Sequence, residues 1–220
     1  MGTTRTPIGT DDIPADAARD ALRPWSLDGW NLRKAPLVAL DTSGTADVHA
    51  LAAVIRDDPL TGSSKSLGVI GNHNRPIQNE EHAELLMRII GARRLDLVDA
   101  GYIGDGHEVF LVCELPAECS IDRGRLGAPR LDGPFELVSI NHHDGSGALW
   151  FYVLPAGTWH STLSPMLAPL AQRQPGTRWI ARHALASARV RHNASLRGIA
   201  GKLRRDLGLF RRGEGPLATL

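Results

Sequence analysis

The stretch 77–91, IQNEEHAELLMRIIG, decides how the rest of the chain is read. Leu85, Leu86, Ile89 and Ile90 fall at the i, i+1, i+4, i+5 spacing that puts side chains on one face of an α-helix, with His82 a turn before them. Asn79 stands where an N-cap side chain accepts a free backbone N–H. Glu80 and Glu81 follow at the positive end of the helix dipole, and Gly91 supplies the stop. A helix with one apolar face needs a surface to bury it, and the sequence downstream supplies one.

Two hairpins are predicted there. In the first, LDLVDAGYI (95–103) and HEVFLVCEL (107–115) flank Gly104-Asp105-Gly106. In the second, FELVSINHH (135–143) and ALWFYVL (148–154) flank Asp144-Gly145-Ser146-Gly147. Glycines in both turns permit positive φ, which tight hairpins require. Four such strands form an antiparallel sheet, completed by a helix on one face. The expected fold class is therefore α+β: an antiparallel hairpin sheet against one amphipathic helix, with a basic C-terminal helix.

Upstream, residues 1–22 lack apolar periodicity and read as a mobile lead-in. The run from Asn31 to Leu40 reads as extended, and Trp25 and Trp30 are expected to cover one end of the core. Residues 48–56 fit either a short helix or a strand, and 67–71, LGVIG, reads as a strand. The Gly-, Pro- and Arg-rich segment 116–134 reads as a loop. A short helix is expected over PMLAPLAQ (165–172) and a short strand at Trp179-Ile180. From Ala184 to Phe210, Leu185, Val190, Leu196, Ile199, Leu203 and Leu207 give an approximate stripe for a long basic helix, which Gly198, Gly201 and Gly208 weaken. The organisation expected is a lead-in (1–22), an α+β domain (23–183) and a basic helical tail (184–220).

The 220 residues are 42% hydrophobic and 22% charged, the composition of a globular chain. No apolar run is long enough to span a bilayer, and the first twenty residues lack an apolar stretch after Arg5, so no membrane association and a cytoplasmic location are expected. Cys113 lies in an apolar strand, which favours a buried reduced thiol over a disulfide with Cys119. The net charge of +1 hides two unlike parts. Residues 173–220 carry eleven Lys or Arg against Asp206 and Glu214, a net of +9, which leaves 14 basic and 22 acidic groups, a net of −8, in residues 1–172. A basic block of this kind attracts polyphosphates, although a solvated face or an intramolecular acidic partner has the same sequence signature.

Three segments in order, GWNLRKAPL (29–37), LGVIGNHNRPIQNEE (67–81) and NHHDGSGAL (141–149), together with AGYIGDGHEVFLVCELP (100–116), resemble the phage/plasmid-like protein family, also described as domain of unknown function 932. The resemblance covers roughly residues 25–195. One family run, Arg-Val-Val-Cys-x-Asn-Thr, has its counterpart in PAGTWHSTL (155–163), which keeps only Thr162-Leu163. This departure puts any role of the missing Cys and Asn in doubt, and because members of the family are often longer at the C-terminus the resemblance implies a shortened or decayed member. What the resemblance implies is residence on mobile elements, work on DNA, and a remote relation of some members to single-strand annealing proteins.

The chemistry-bearing candidates point the same way. No G-x-S-x-G and no phosphate-binding G-x-x-x-x-G-K-[ST] loop is present, and the glycines of GYIGDG lack the strand-turn-helix context of a dinucleotide site. No cofactor is expected. Arg75, before the helix N-terminus, can receive a phosphate or pair with a nearby acid. Arg182, Arg189, Arg191, Arg197, Lys202, Arg204 and Arg205 can neutralise phosphates, with Trp179 and His183 stacking on bases, which favours single-stranded DNA as partner. Two alternatives stay open. One is a metal-dependent hydrolase using His142, His143 and Asp144 with His160, although adjacent strand residues point to opposite faces and Asp144 also suits the turn. The other is an assembly or regulatory module, possible as a homo-oligomer, whose acidic body and basic tail pair between subunits.

Overall fold

The computed structural model describes residues 13–14, 16–42, 44–122, 130–170, 178–192, 196 and 198–211. A short helix, α1 (Ala17–Leu22), precedes a three-stranded sheet of β1 (Arg33–Asp41), β2 (Gly44–Asp57) and β3 (Ser64–Gly71). Helix α2 (Asn79–Ile90) follows, then the first hairpin, β4 (Leu97–Ile103) and β5 (Glu108–Glu114). Two short strands, β6 (Cys119–Ile121) and β7 (Leu131–Asp132), lead into the second hairpin, β8 (Phe135–His142) and β9 (Leu149–Pro155). A π-turn over Trp159–Leu163 runs into α3 (Ser164–Leu170), followed by α4 (Arg178–Ala181), β10 (Ala186–Val190), α5 (Ile199–Asp206) and β11 (Leu209–Arg211). The fold is α+β, and every strand pairing is antiparallel.

Both predicted hairpins form, and they join through β5 and β8 into a five-stranded sheet of order β10-β9-β8-β5-β4. The sheet is covered on both faces, not one, and β8 is buried at all eight positions. On the first face, Val109, Leu111, Leu137, Phe151 and Val153 meet Leu85, Leu86, Met87 and Ile89 of α2 with Leu203 and Leu207 from α5 and its end. On the second, Phe110, Val112, Val138, Ile140 and Leu154 meet Trp159, Leu163 and Ile180. Trp30 is buried in the first core and Trp25 packs against it. Cys113 and Cys119 are both buried and free.

Several local expectations give way to tertiary constraints. The N-cap of α2 is Gln78, whose backbone N–H donates to the Glu81 carboxylate at 3.0 Å. Gly91 ends the helix at φ 70°, a conformation that costs glycine little. Within the 1–22 lead-in, Ala17–Leu22 is helical and packs on α2, with Ala18 and Leu22 buried; residues 1–12 lie outside the described residues. The 116–134 segment holds β6 and β7, and Trp179-Ile180 is part of a helix, α4.

The long helix expected over 184–210 is realised only as α5. Residues 186–190 instead pair with β9, and Leu209–Arg211 with β6. Edge pairing outweighs the weak helical stripe because it hydrogen-bonds a backbone and buries Ala188 and Val190 together. The C-terminal segment is thus part of the five-stranded sheet, of a smaller sheet with β6 and β7, and of the first core. Leu203→Ala, which empties a site only 1% exposed, is expected to lower unfolding free energy by about 2–4 kcal/mol. A chain cut after Gln172 should lose cooperative unfolding altogether, and urea titration followed by tryptophan fluorescence checks both outcomes.

Candidate functional site

The four separated segments singled out in the sequence converge at one end of the five-stranded sheet, beneath the first turn of α2. Gln78 holds both backbone groups of Leu32: its Oε1 accepts the Leu32 N–H at 2.9 Å and its Nε2 donates to the Leu32 carbonyl at 2.7 Å. The Gly29 N–H donates to Glu80 at 2.8 Å. Asn79 is fully buried, with Nδ2 donating to the Leu27 carbonyl at 2.8 Å and Oδ1 3.1 Å from His143 Nε2. Asn141 donates to the Ile77 carbonyl at 3.1 Å, and its Oδ1 lies 3.1 Å from His192 Nε2. The His143 N–H donates to the His107 carbonyl at 2.7 Å, tying the two hairpin turns together.

Glycine makes this convergence possible in the D-G-S-G turn. A Cβ on Gly145, at φ +82°, would lie 2.2 Å from the Val69 carbonyl oxygen, so the turn is pressed directly against β3. Asp144 Oδ1 accepts from the Ser146 N–H at 2.9 Å and from its hydroxyl at 2.7 Å, which is turn chemistry.

The imidazoles of His82, His143 and His192 are held neutral. Burial pushes His82 down to about 3 and His192 down to about 4, and lowers His143 well below the ordinary value; repulsion among the histidines adds to each. Ser139 Oγ donates to the Leu111 carbonyl at 3.4 Å, so the 2.7 Å contact with His82 is donated by its Nε2–H. Nδ1 of His82 and Nδ1 of His143 are left without a partner.

His142 and His143 diverge as strand geometry requires. His142 Nδ1 lies 3.3 Å from Glu108 Oε1, whereas His143 turns toward Asn79 and Trp30. His160 is exposed on the π-turn. Among the described residues no group of three or more His, Cys, Asp or Glu side chains is placed to hold a metal ion, so the hydrolase alternative has no ligand set there.

The basic candidates are separated by the fold. Arg75 is committed to Glu81, Nη1 reaching both carboxylate oxygens at 2.8 and 2.9 Å. Arg182 and His183 are exposed just after α4, and Arg189 and Arg191 are exposed along and just beyond the edge strand β10. The guanidinium of Arg189 sits 5.7 Å from the ring of half-buried Trp150, its register partner on β9. Lys202 pairs with Asp206 on α5, where Arg204 is half-buried and Arg205 exposed. Trp179 falls in α4, and Arg197 lies outside the described residues. Because β10 alternates, Arg189 shares the second face with Trp150 while α5 covers the first.

Cations of the body are mostly neutralised: Arg23, Arg33, Lys65, Arg75, Arg88 and Arg94 all form ion pairs. Among the described residues Arg182, Arg189, Arg191, Arg204 and Arg205 form none. Sequence reasoning missed Trp150 and Arg56. The facing of Arg189 by Trp150 follows from strand register, which no short motif encodes; Arg56 meets Trp30, far away in sequence, and left no local signal.

Residues 66–156 match the model of the family described as Domain of unknown function (DUF932). The DUF932 match runs from β3 through β9 and holds Asn79, His82, Asn141 and His143. GWNLRKAPL and the basic residues at 182–205 lie outside it. No curated protein and no solved structure matches the chain.

The neutral histidines make stability pH-dependent. Their folded values lie below the unfolded value near 6.5, so the unfolded chain takes up protons first as pH falls. Stability is full above about pH 6.5 and is lost progressively toward pH 4, by about 1.4 kcal/mol per pH unit for each proton. His192→Gln, which keeps a donor for Asn141, should reduce that slope between pH 6 and 4 by about a third of the three-histidine total. Chemical denaturation at a series of pH values measures it.

Proposed function

We propose that this protein binds single-stranded nucleic acid, DNA in a mobile-element setting, by electrostatic capture and base stacking without covalent chemistry. The observation that carries the reading is the contrast in pairing. Most of the body's cations are matched with carboxylates, whereas among the described residues Arg182, Arg189, Arg191, Arg204 and Arg205 form no ion pair. Among the described residues no carboxylate pairs with these arginines. Counterion release from phosphates suits such a surface, and Trp150 beside Arg189 adds an aromatic face for bases. The resemblance to phage and plasmid proteins supports the setting.

A second reading, self-assembly, rests on a separate observation. Val38, Leu40, Leu51 and Val69 are exposed on the β1–β2–β3 sheet, and register places Leu51 and Val69 on one face. Size-exclusion chromatography across salt concentrations tests it: a larger species that persists in high salt favours an apolar contact over pairing of the acidic body with the basic segment.

The test of the principal reading is fluorescence anisotropy with labelled oligo(dT) and a matched duplex over a salt series. The full chain should prefer the single strand, with affinity falling linearly on a log–log salt plot. Combining Arg182→Gln, Arg189→Gln and Arg191→Gln, all exposed positions, should reduce the magnitude of the slope by about 2. Arg75→Gln, whose charge is already satisfied, should leave it unchanged. Absence of binding at low salt overturns the proposal.

A further inference from the structure

Arg56 of β2 is the cation of the body whose environment is hardest to explain as structure alone. It is 7% exposed, its Cζ stands 4.2 Å from the Trp30 ring centroid and 5.4 Å from that of Tyr102, and its Nε has no hydrogen-bond partner. Among the described residues it forms no ion pair. The carboxylates that sense its charge are engaged elsewhere: Asp105 pairs with Lys65, and Asp58 accepts the backbone N–H groups of Leu60 and Thr61.

A buried guanidinium without a counter-anion is costly, and facing aromatic rings return only part of that cost. The enclosure is close. A Cβ on Gly106, at φ +102°, would lie 2.7 Å from Trp30 and 3.1 Å from Arg56 Nη1, so the β4–β5 turn closes down on the pair as only glycine permits. His143, whose Nδ1 also lacks a partner, lies with its ring 6.4 Å from Trp30. The outer member of the group is Tyr102, edge-on to Trp30 at 5.4 Å and 48% exposed, a ring that caps the arginine and still faces solvent.

We propose that Arg56 receives a phosphate of a single nucleic-acid strand, with the exposed ring of Tyr102 taking the adjoining base. The inference rests on the nucleic-acid reading and extends it to the opposite edge of the sheet. Tyr102, Val109, Asn141, Leu149 and Val190 form one cross-strand row, and Arg191 follows Val190. Four interstrand spacings separate β4 from β10, about 19 Å. Beyond Tyr102 the row itself is buried, so this separation is a lower bound, and a single strand of several nucleotides that skirts the hairpin turns can engage Arg191 at one edge and Tyr102 at the other. Stacking is tolerant of sequence because every base has a π-face.

The experiment uses the full chain and an oligo(dT) carrying 5-iodouracil, irradiated and mapped by mass spectrometry, with anisotropy on variants. Crosslinks at Tyr102 are expected. Tyr102→Ala should weaken oligo(dT) binding by about fivefold or more, and Tyr102→Phe should restore most of the affinity. Arg56→Lys, which keeps the charge but loses the planar stacked fork, should weaken binding as well; Tyr102 is exposed, so its variants decide the matter even where Arg56→Lys fails to fold. Crosslinks confined to residues 182–205 with Tyr102→Ala binding unchanged overturn this site and leave the nucleic-acid reading standing. No oligo(dT) binding by the unaltered chain overturns both.

Discussion

The seating of Asn79 is the constraint on which the rest of the molecule depends. One amide side chain bonds outward to Leu27 and inward to His143, and so fixes the first turn of α2 against both the N-terminal segment and the second hairpin. Gln78 and Asn141 repeat the pattern on either side, toward Leu32 and toward Ile77. Each is a buried or half-buried polar group satisfied by a partner far away in sequence, and each loses its partner if the helix shifts. The apolar face of α2 supplies the driving force for burial, but these amides and imidazoles set the position in which it is buried.

Much of the fold could be read directly. The periodicity of 77–91 and the two glycine turns with strand-like flanks are local signals, and local signals survive into the structure. What escaped was non-local. Asn79 looks like a cap because a cap needs only its own helix, whereas its actual partners are Leu27 and His143. Residues 186–190 look helical because Leu185 and Val190 fit a loose stripe, yet β9 had an open edge to offer. The second covered face was hidden because Trp159, Leu163 and Ile180 arrive from separate short elements, none long enough to show a period.

The candidate site was legible in the same uneven way. Composition located the arginines of the C-terminal segment, and the fold distributed them between an edge strand and a helix on the other side of the sheet. Arg75 is paired with Glu81. Pairing, not charge, separates the cations that hold the molecule together from those available to a partner, and only coordinates reveal it. The DUF932 match bears on the polar junction and stops short of the basic segment, so the two parts of the site rest on different grounds.

The placement of β10 also has a consequence during synthesis. The ribosome delivers β4, β5, β8 and β9 before residues 186–190, so the nascent sheet exposes the backbone of β9 until the last fifth of the chain emerges. An open, largely apolar edge is a template for pairing with other chains. The late strand therefore closes a vulnerability in the nascent protein, and β10 matters to the yield of folded molecules before any ligand is bound.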